Sequence, residues 1–220
     1  MKPIDVLFTA LGTCAIGVSG MLALRAARAR AATNPFPSKK IELPPIEFVP
    51  TTNMRATPAG KTRPINVIVI HDAEYPERPK AAKDIANYFK NPTVPSSSHY
   101  TVDDQFIVQS VKDNDVAWTA PPRNDDGLHL ELIGYAKQTP AEWVDAYSKP
   151  MLELAARLIA AKAQEFDIPL ELLGPEELKA GKRGITTHGD ISKAYGKSDH
   201  QDPGKNFPMD EFMAMIRAAR

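Results

Sequence analysis

The pattern of apolar and polar positions divides the chain into three parts. Residues 6–24 are uncharged and mostly apolar, whereas residues 63–220 alternate short β-branched runs with segments of helical spacing. Between them, residues 32–62 are rich in proline and have few regularly spaced apolar positions, which is typical of an extended tether. The sequence therefore predicts a hydrophobic anchor or signal segment over 1–31, a proline-rich linker over 32–62 and one folded domain over 63–220.

The folded part has the pattern of an α/β domain. Strands are predicted at 65–70, 99–102, 106–111, 128–133 and 185–188, and helices at 81–90, 141–166 and 209–220. Residues 65–70 are a continuous β-branched run, which indicates a strand buried on both faces. Pro150 is expected to start a new helix or to kink the long one. Strands interleaved with helices predict a central sheet flanked by helices.

The N-terminal apolar run is long enough to cross a membrane, but only just. At ~1.5 Å per residue, residues 6–24 nearly reach the ~30 Å of a hydrocarbon core. A weakly held membrane span, a signal peptide and a helix buried in an assembly all fit the run. Arg25, Arg28 and Arg30 follow it, and by the positive-inside rule they favour a cytoplasmic location for the residues that come next.

Composition restricts the chemistry that the chain can perform. The 27 Lys and Arg residues equal the 27 Asp and Glu residues, which argues against a nucleic-acid binder that depends on excess positive charge. Cys14 is the single cysteine, so an intramolecular disulfide and a cysteine zinc cage are both excluded. A metal ion would have to bind histidine and carboxylate side chains.

Two histidines and one aspartate stand where such a site could form. His71 and His188 end predicted strands, and Asp202 precedes Pro203 and Gly204 in a predicted tight turn. Two imidazoles and a carboxylate, with a fourth position left to water, are the ligands of a catalytic zinc. The alternative is that each histidine is an ordinary packed residue held by hydrogen bonds.

A metal-activated water also needs a group that moves its proton. Glu131 lies between Leu130 and Leu132 in a predicted strand, where an ionised side chain is costly unless it has a function. Glu131 is therefore the candidate general base. The alternative is an edge strand from which this carboxylate points to solvent.

The order of motifs resembles a known family. NVIVIH, SSHYTVDD, AW, N-x-x-x-L-x-L-E-L-x-G, THGD and D-H-x-DPG follow one another along residues 64–212. This order is similar to that of the zinc-dependent N-acetylmuramoyl-L-alanine amidases of the type-2 amidase and peptidoglycan recognition protein superfamily, above all phage endolysins. The resemblance implies a mixed sheet flanked by helices, with a zinc site in a surface groove. It also implies cleavage of the amide between N-acetylmuramic acid and L-alanine of the stem peptide.

The resemblance also implies roles for single residues. The zinc ligands of the family correspond to His71, His188 and Asp202 of this sequence, and the catalytic glutamate of the family corresponds to Glu131. The family often has a lysine where this chain has His200, and His200 is expected to stabilise the oxyanion in its place.

Further residues are expected around the groove. His129 replaces a glycine of the family two positions before Glu131, so it either lines the cleft or makes a structural hydrogen bond. His99 is expected in the core, and residues 193–197 are expected to form a loop beside the metal. The predicted substrate-binding residues are Trp118, His129, Ser98 and Asn124.

The sequence is also compatible with two other activities and with several locations. A domain of this kind could bind peptidoglycan without cutting it, or could act as a zinc peptidase within the stem peptide. Because peptidoglycan lies beyond the cytoplasmic membrane, we expect an extracytoplasmic protein that residues 6–24 export or anchor. A component of a phage virion is the alternative. The expected partner is peptidoglycan, with no role for nucleic acid.

Overall fold

The computed structural model describes residues 40–220. Its strands are β1 (Ile46–Phe48), β2 (Met54–Arg55), β3 (Val67–Asp72), β4 (Tyr100–Val102), β5 (Ile107–Gln109), β6 (Val116–Ala117), β7 (Gly127–Leu132) and β8 (Gly184–Thr187). Its α-helices are α1 (Ala81–Phe89), α2 (Ser148–Glu165), α3 (Pro175–Lys179), α4 (His188–Tyr195) and α5 (Met209–Ala218). Six strands form one sheet in the order β1-β5-β4-β7-β3-β8, and β2 pairs with β6.

The main sheet is mixed, as the sequence predicts. Only β4 and β5 run antiparallel, and every other neighbouring pair is parallel. Strand β3 lies between β7 and β8, and all six of its residues are buried. A parallel strand covered on both faces needs apolar side chains on both sides, which explains the β-branched run at residues 65–70.

Helices cover both faces of this sheet. Ile68 and Ile70 of β3 belong to the large core that contains the buried faces of α2 and α5. Val67 and Val69 point to the opposite face and pack with Leu178 of α3 and Ile191 of α4. On that second face, Ala82 and Ala86 of α1 cover Val108 of β5. By the same alternation, the side chain of His71 lies on the face of the sheet that α1 and α4 cover.

Part of the predicted linker belongs to the sheet. The sequence places residues 32–62 in an extended tether, but residues 46–48 pair in parallel with β5 and residues 54–55 pair with β6. Because β1 lies at the edge of the sheet, prolines on either side of it remove no hydrogen bond from a central strand. The folded domain therefore begins before the predicted boundary at residue 63.

The long predicted helix begins later than expected. A short 3-10 helix covers residues 142–144, and α2 starts at Ser148. Pro150 stands in the first turn of α2, where a backbone N–H has no helical partner to lose. Pro150 thus marks the start of a helix rather than a kink.

The predicted anchor at residues 6–24 lies outside the described residues. Among the helices of residues 40–220, none combines the length and the apolar character that crossing a bilayer requires.

His99 is a core histidine, as expected, and its protonation follows from its neighbours. The backbone N–H of His129 donates to its Nδ1 at 3.1 Å, and its Nε2 lies 3.0 Å from the carbonyl oxygen of Asp115 and 2.9 Å from the guanidinium group of Arg63. Burial lowers the pKa of His99 to about 3. The ring is therefore neutral in the folded protein at ordinary pH.

We expect His99 to make the fold sensitive to acid. The unfolded chain takes up this proton near pH ~6.5, whereas the folded protein does so only near its lowered pKa, so stability falls as the pH drops below ~6.5, by up to about 1.4 kcal/mol per unit. His99→Asn keeps an acceptor for the His129 N–H and does not titrate. Urea unfolding with chelator present gives the free energy of unfolding at pH 7 and at pH 5. Between these two values, the variant should lose about 2 kcal/mol less of this free energy than the wild type. Equal losses of unfolding free energy in the variant and the wild type would show that His99 is not the origin of the acid sensitivity.

Candidate metal centre

The fold brings together three side chains that are far apart in the sequence. His71, His188 and Asp202 are all buried, and one ligand atom of each lies within 4.8 Å of the others. His71 stands near the end of β3, His188 directly follows β8, and Asp202 lies in a turn before α5. The predicted metal-ligand residues therefore form one cluster.

Strand pairing places the two histidines side by side. Because β3 and β8 are parallel neighbours, their carboxyl ends lie at the same edge of the sheet. The Thr187 hydroxyl accepts a hydrogen bond from the backbone N–H of Asp190 at 3.0 Å and caps α4. The chain therefore turns from strand into helix at His188, which keeps this imidazole at the sheet edge.

A tight turn presents Asp202. The backbone N–H of Gly204 donates to the carbonyl oxygen of Gln201 at 2.9 Å. Gly204 has φ +92, and a Cβ there would collide with the carbonyl oxygen of Ala136. Only glycine fits this conformation and this close approach, so the turn predicted from the D-P-G sequence holds Asp202 against the two histidines.

The donor atoms of the cluster fit a divalent cation. Oδ2 of Asp202 lies 2.9 Å from Nδ1 of His71, and Oδ1 lies 3.2 Å from Nδ1 of His188. Within residues 40–220, this buried Oδ1 has no hydrogen-bond partner of good geometry. Buried carboxylate oxygens without a partner are rare, and imidazole nitrogens with a carboxylate are ligands that zinc accepts.

The protonation states also suit a metal. Burial lowers the pKa of His71. Burial alone would raise the pKa of Asp202, but His188 and His71 outweigh it and hold this pKa below its ordinary value. A neutral imidazole and an ionised carboxylate are the forms that bind a cation.

Glu131 stands beside the cluster. It is the direct partner of His71 in the pairing of β7 with β3, so both side chains lie on one face of the sheet. Its carboxyl group lines the same cavity of about 490 Å³ as His71 and His188. Since β7 is an interior strand and Glu131 is buried, the alternative of a solvent-facing edge position is excluded.

The environment of Glu131 favours a bound proton. Burial raises its pKa well above the ordinary value, and the nearby charges of Asp202 and Asp72 raise it further. A raised pKa makes the ionised carboxylate a stronger base, and a group that accepts a proton and later releases it is what general acid–base catalysis requires.

His200 lies on the open side of the cluster. Its ring stacks on that of His188 with centroids 4.2 Å apart, and its Nδ1 is 3.4 Å from Oδ1 of Asp202. Its side chain is 60% exposed, so a ligand entering the cavity could reach it. His200 is thus near the cluster but outside its buried part.

The four predicted substrate-binding residues have different environments. Trp118 is 39% exposed, and Oδ1 of Asn124 accepts hydrogen bonds from the backbone N–H groups of Thr119 and Ala120. Ser98 is completely buried and donates to the carbonyl oxygen of His129 at 2.9 Å. His129 is also completely buried, beneath His71. Trp118 is thus the exposed side chain of this set, and none of the four residues lines the cavity.

Sequence reasoning missed several residues that line the cavity. Asp72 directly follows His71, and Tyr88 and Phe89 reach the cavity from α1. Tyr88 is 56% exposed. An aromatic residue on the outer face of an amphipathic helix is the signal that could have identified it.

An α/β domain with a His-His-Asp cluster and a protonatable carboxyl group in one cleft has the features of a hydrolytic metal centre. The profile of the N-acetylmuramoyl-L-alanine amidase family matches residues 61–205, and the chain belongs to this family. The match confirms the prediction of a peptidoglycan amidase that was made from the motifs. Comparison with curated proteins gives no match.

Solved structures show the same fold. A Staphylococcus aureus hydrolase, AmiA, in complex with its ligand is 21% identical over 81% of this chain and 84% of that chain, with a TM-score of 0.61. The catalytic domain of XlyA is 23% identical, with coverages of 79% and 99% and a TM-score of 0.54. The amidase LysCS from Clostridium intestinale is 18% identical, with coverages of 80% and 98% and a TM-score of 0.53. These similarities support the α/β architecture of the chain.

Proposed function

We propose that this chain hydrolyses the amide between N-acetylmuramic acid and L-alanine with a zinc ion held by His71, His188 and Asp202. The convergence of these three buried side chains carries the proposal. When bound, zinc supplies Lewis acidity, which makes a water molecule more acidic and a carbonyl more reactive. The three ligands leave one side of the site open to the cavity.

Glu131 moves the proton in this mechanism. Its carboxylate accepts a proton from the attacking water and passes it to the nitrogen of the departing L-alanine. Its position beside His71, its burial and its raised pKa support this role. The reaction needs no covalent intermediate on the protein.

His200 and the cavity wall act on the substrate. The ring of His200 is fixed by stacking on His188 and can donate a hydrogen bond to the oxyanion that forms during attack. Trp118 is an exposed aromatic side chain next to Thr119, which lines the cavity. These positions support His200 as the oxyanion donor and Trp118 as a substrate contact.

The location of the substrate sets the location of the enzyme. Peptidoglycan lies outside the cytoplasmic membrane, so the domain acts on the cell-wall side. The apolar run at residues 6–24 then serves as an export signal or anchor, or holds the protein in a phage virion. Intact-mass measurement of the mature protein, which shows whether residues 1–31 are retained, tests cleavage of this segment.

Product analysis tests the activity directly. Purified peptidoglycan digested with the full-length protein should release fragments with a free L-alanine amine, which mass spectrometry identifies. A new D-amino-acid end would indicate a peptidase, and wall binding without any product would indicate a binding module. Elemental analysis of the active protein should give about one zinc per chain. Active protein without a bound metal ion would contradict the proposed centre.

A further inference from the structure

His129 lies directly beneath the proposed metal centre. It stands on β7 two residues before Glu131, on the same face of the sheet, and its side chain is completely buried. Its Nδ1 is 3.1 Å from Nε2 of His71. The mechanism above gives His129 no role, although it contacts a proposed metal ligand.

The orientation of His71 determines what His129 can do. Nδ1 of His71 faces Asp202, so this nitrogen is the one that would bind the cation. A neutral imidazole that binds a metal through one nitrogen carries its proton on the other. The proton on Nε2 of His71 therefore points at Nδ1 of His129, which must accept it.

The surroundings of His129 hold its ring in place by packing, and within residues 40–220 its other nitrogen, Nε2, has no hydrogen-bond partner. Its backbone N–H donates to Nδ1 of His99, and the two rings stack with centroids 5.7 Å apart. Gly127 closes the far side, since a Cβ at this position would lie 2.7 Å from Nε2 of His129. The stack on His99 and the close approach of Gly127 therefore leave the His129 ring little freedom to turn.

We propose that His129 is a positioning residue of the metal centre, which accepts the Nε2 proton of His71 and so directs Nδ1 of His71 at the cation. The inference rests on the proposed function, because it takes the cluster to be a zinc site. A metal-ligating histidine usually donates its second N–H to a carboxylate, carbonyl or water. In this chain a buried imidazole takes that place.

Zinc affinity tests this role without relying on activity. Competition with a chromogenic chelator gives the zinc Kd of the full-length protein and of two variants. His129→Leu removes the acceptor and should weaken zinc binding by about 10- to 100-fold, the usual effect of losing such a partner. His129→Asn can place its side-chain oxygen near the position of Nδ1, and its Kd should stay within about threefold of the wild type.

A matched control separates positioning from general damage to the sheet. Thr186 and His129 both pair with Val69, one from each side, and Thr186 is completely buried with its hydroxyl bonded to the carbonyl oxygen of Leu173. Thr186→Val should therefore lower the unfolding midpoint but leave the zinc Kd unchanged. If His129→Leu binds zinc as tightly as the wild type, the role of His129 is wrong and the metal centre stands. If the wild type itself binds no zinc, the proposed function fails.

A measurement on the wild type keeps the inference testable even if His129→Leu does not fold. Long-range proton–nitrogen NMR of the zinc-loaded protein reports which ring nitrogen of His71 carries the proton. The inference requires the proton on Nε2. A proton on Nδ1 would overturn it.

Discussion

Replacement of Glu131 by glutamine should lower kcat by about 10²- to 10⁴-fold, the typical contribution of a positioned acid or base. The amide has nearly the same shape as the carboxyl group but cannot accept a proton from water and return it to the leaving amine. Because burial already favours the neutral form of Glu131, the neutral glutamine should fit without loss of folding stability. The zinc Kd should remain within about twofold of the wild type, since Glu131 is not a proposed ligand.

Steady-state kinetics on a defined muropeptide, together with zinc titration of the same samples, measures both quantities. Glu153→Gln is the matched control, because Glu153 is an exposed carboxylate on the outer side of α2. It should leave kcat and zinc affinity unchanged. Full activity in Glu131→Gln with normal zinc binding would show that another group moves the proton.

The sequence predicted which residues form this site better than it predicted how they are arranged in space. His71 and His188 were identifiable because each ends a buried β-branched run, and ligands gather at the carboxyl ends of parallel strands. Asp202 was identifiable because the following Pro203 and Gly204 indicate a tight turn. That β8 lies beside β3 could not be read from the sequence, since strand order depends on contacts between distant segments.

Two local errors have different physical causes. The short edge strand β1 was missed because its three residues lie in a proline-rich segment and two of them are exposed, so no apolar period marks it. Residues 193–197 were expected to form a loop, but Lys193 and Tyr195 belong to α4. A signal for this helix was present in Thr187-x-x-Asp190, where the Thr187 hydroxyl accepts from the backbone N–H of Asp190.

The depth of a side chain was harder to predict than its direction. Alternation along β7 correctly places His129 on the same face as Glu131. However, two residues along a strand are ~7 Å apart, and the cavity opens at the carboxyl end of β7. Glu131 therefore reaches the cavity, whereas His129 and the hydroxyl of Ser98 remain buried in the layer beneath it.

Asp202→Ala should abolish both zinc binding and activity. Asp202 is the anionic member of the cluster, and its two oxygens face His71 and His188. Without it, the site loses its one anionic ligand, and only the two imidazoles of His71 and His188 remain to bind the cation. We expect the zinc Kd to rise by more than about 100-fold, because a ligand contributes more than the partners behind it, whose loss costs about 10- to 100-fold.

A chelator distinguishes loss of the ligand from loss of the fold. Wild type treated with EDTA should match the inactive variant and regain activity when zinc is added, whereas Asp202→Ala should stay inactive at the same zinc concentration. Asp199→Ala is the control for charge, since Asp199 is an exposed carboxylate in the same turn region, and its zinc Kd should change by less than about threefold because exposed charges are screened. Retention of tight zinc binding by Asp202→Ala, with unfolding curves like those of the wild type, would place the cation elsewhere in the chain.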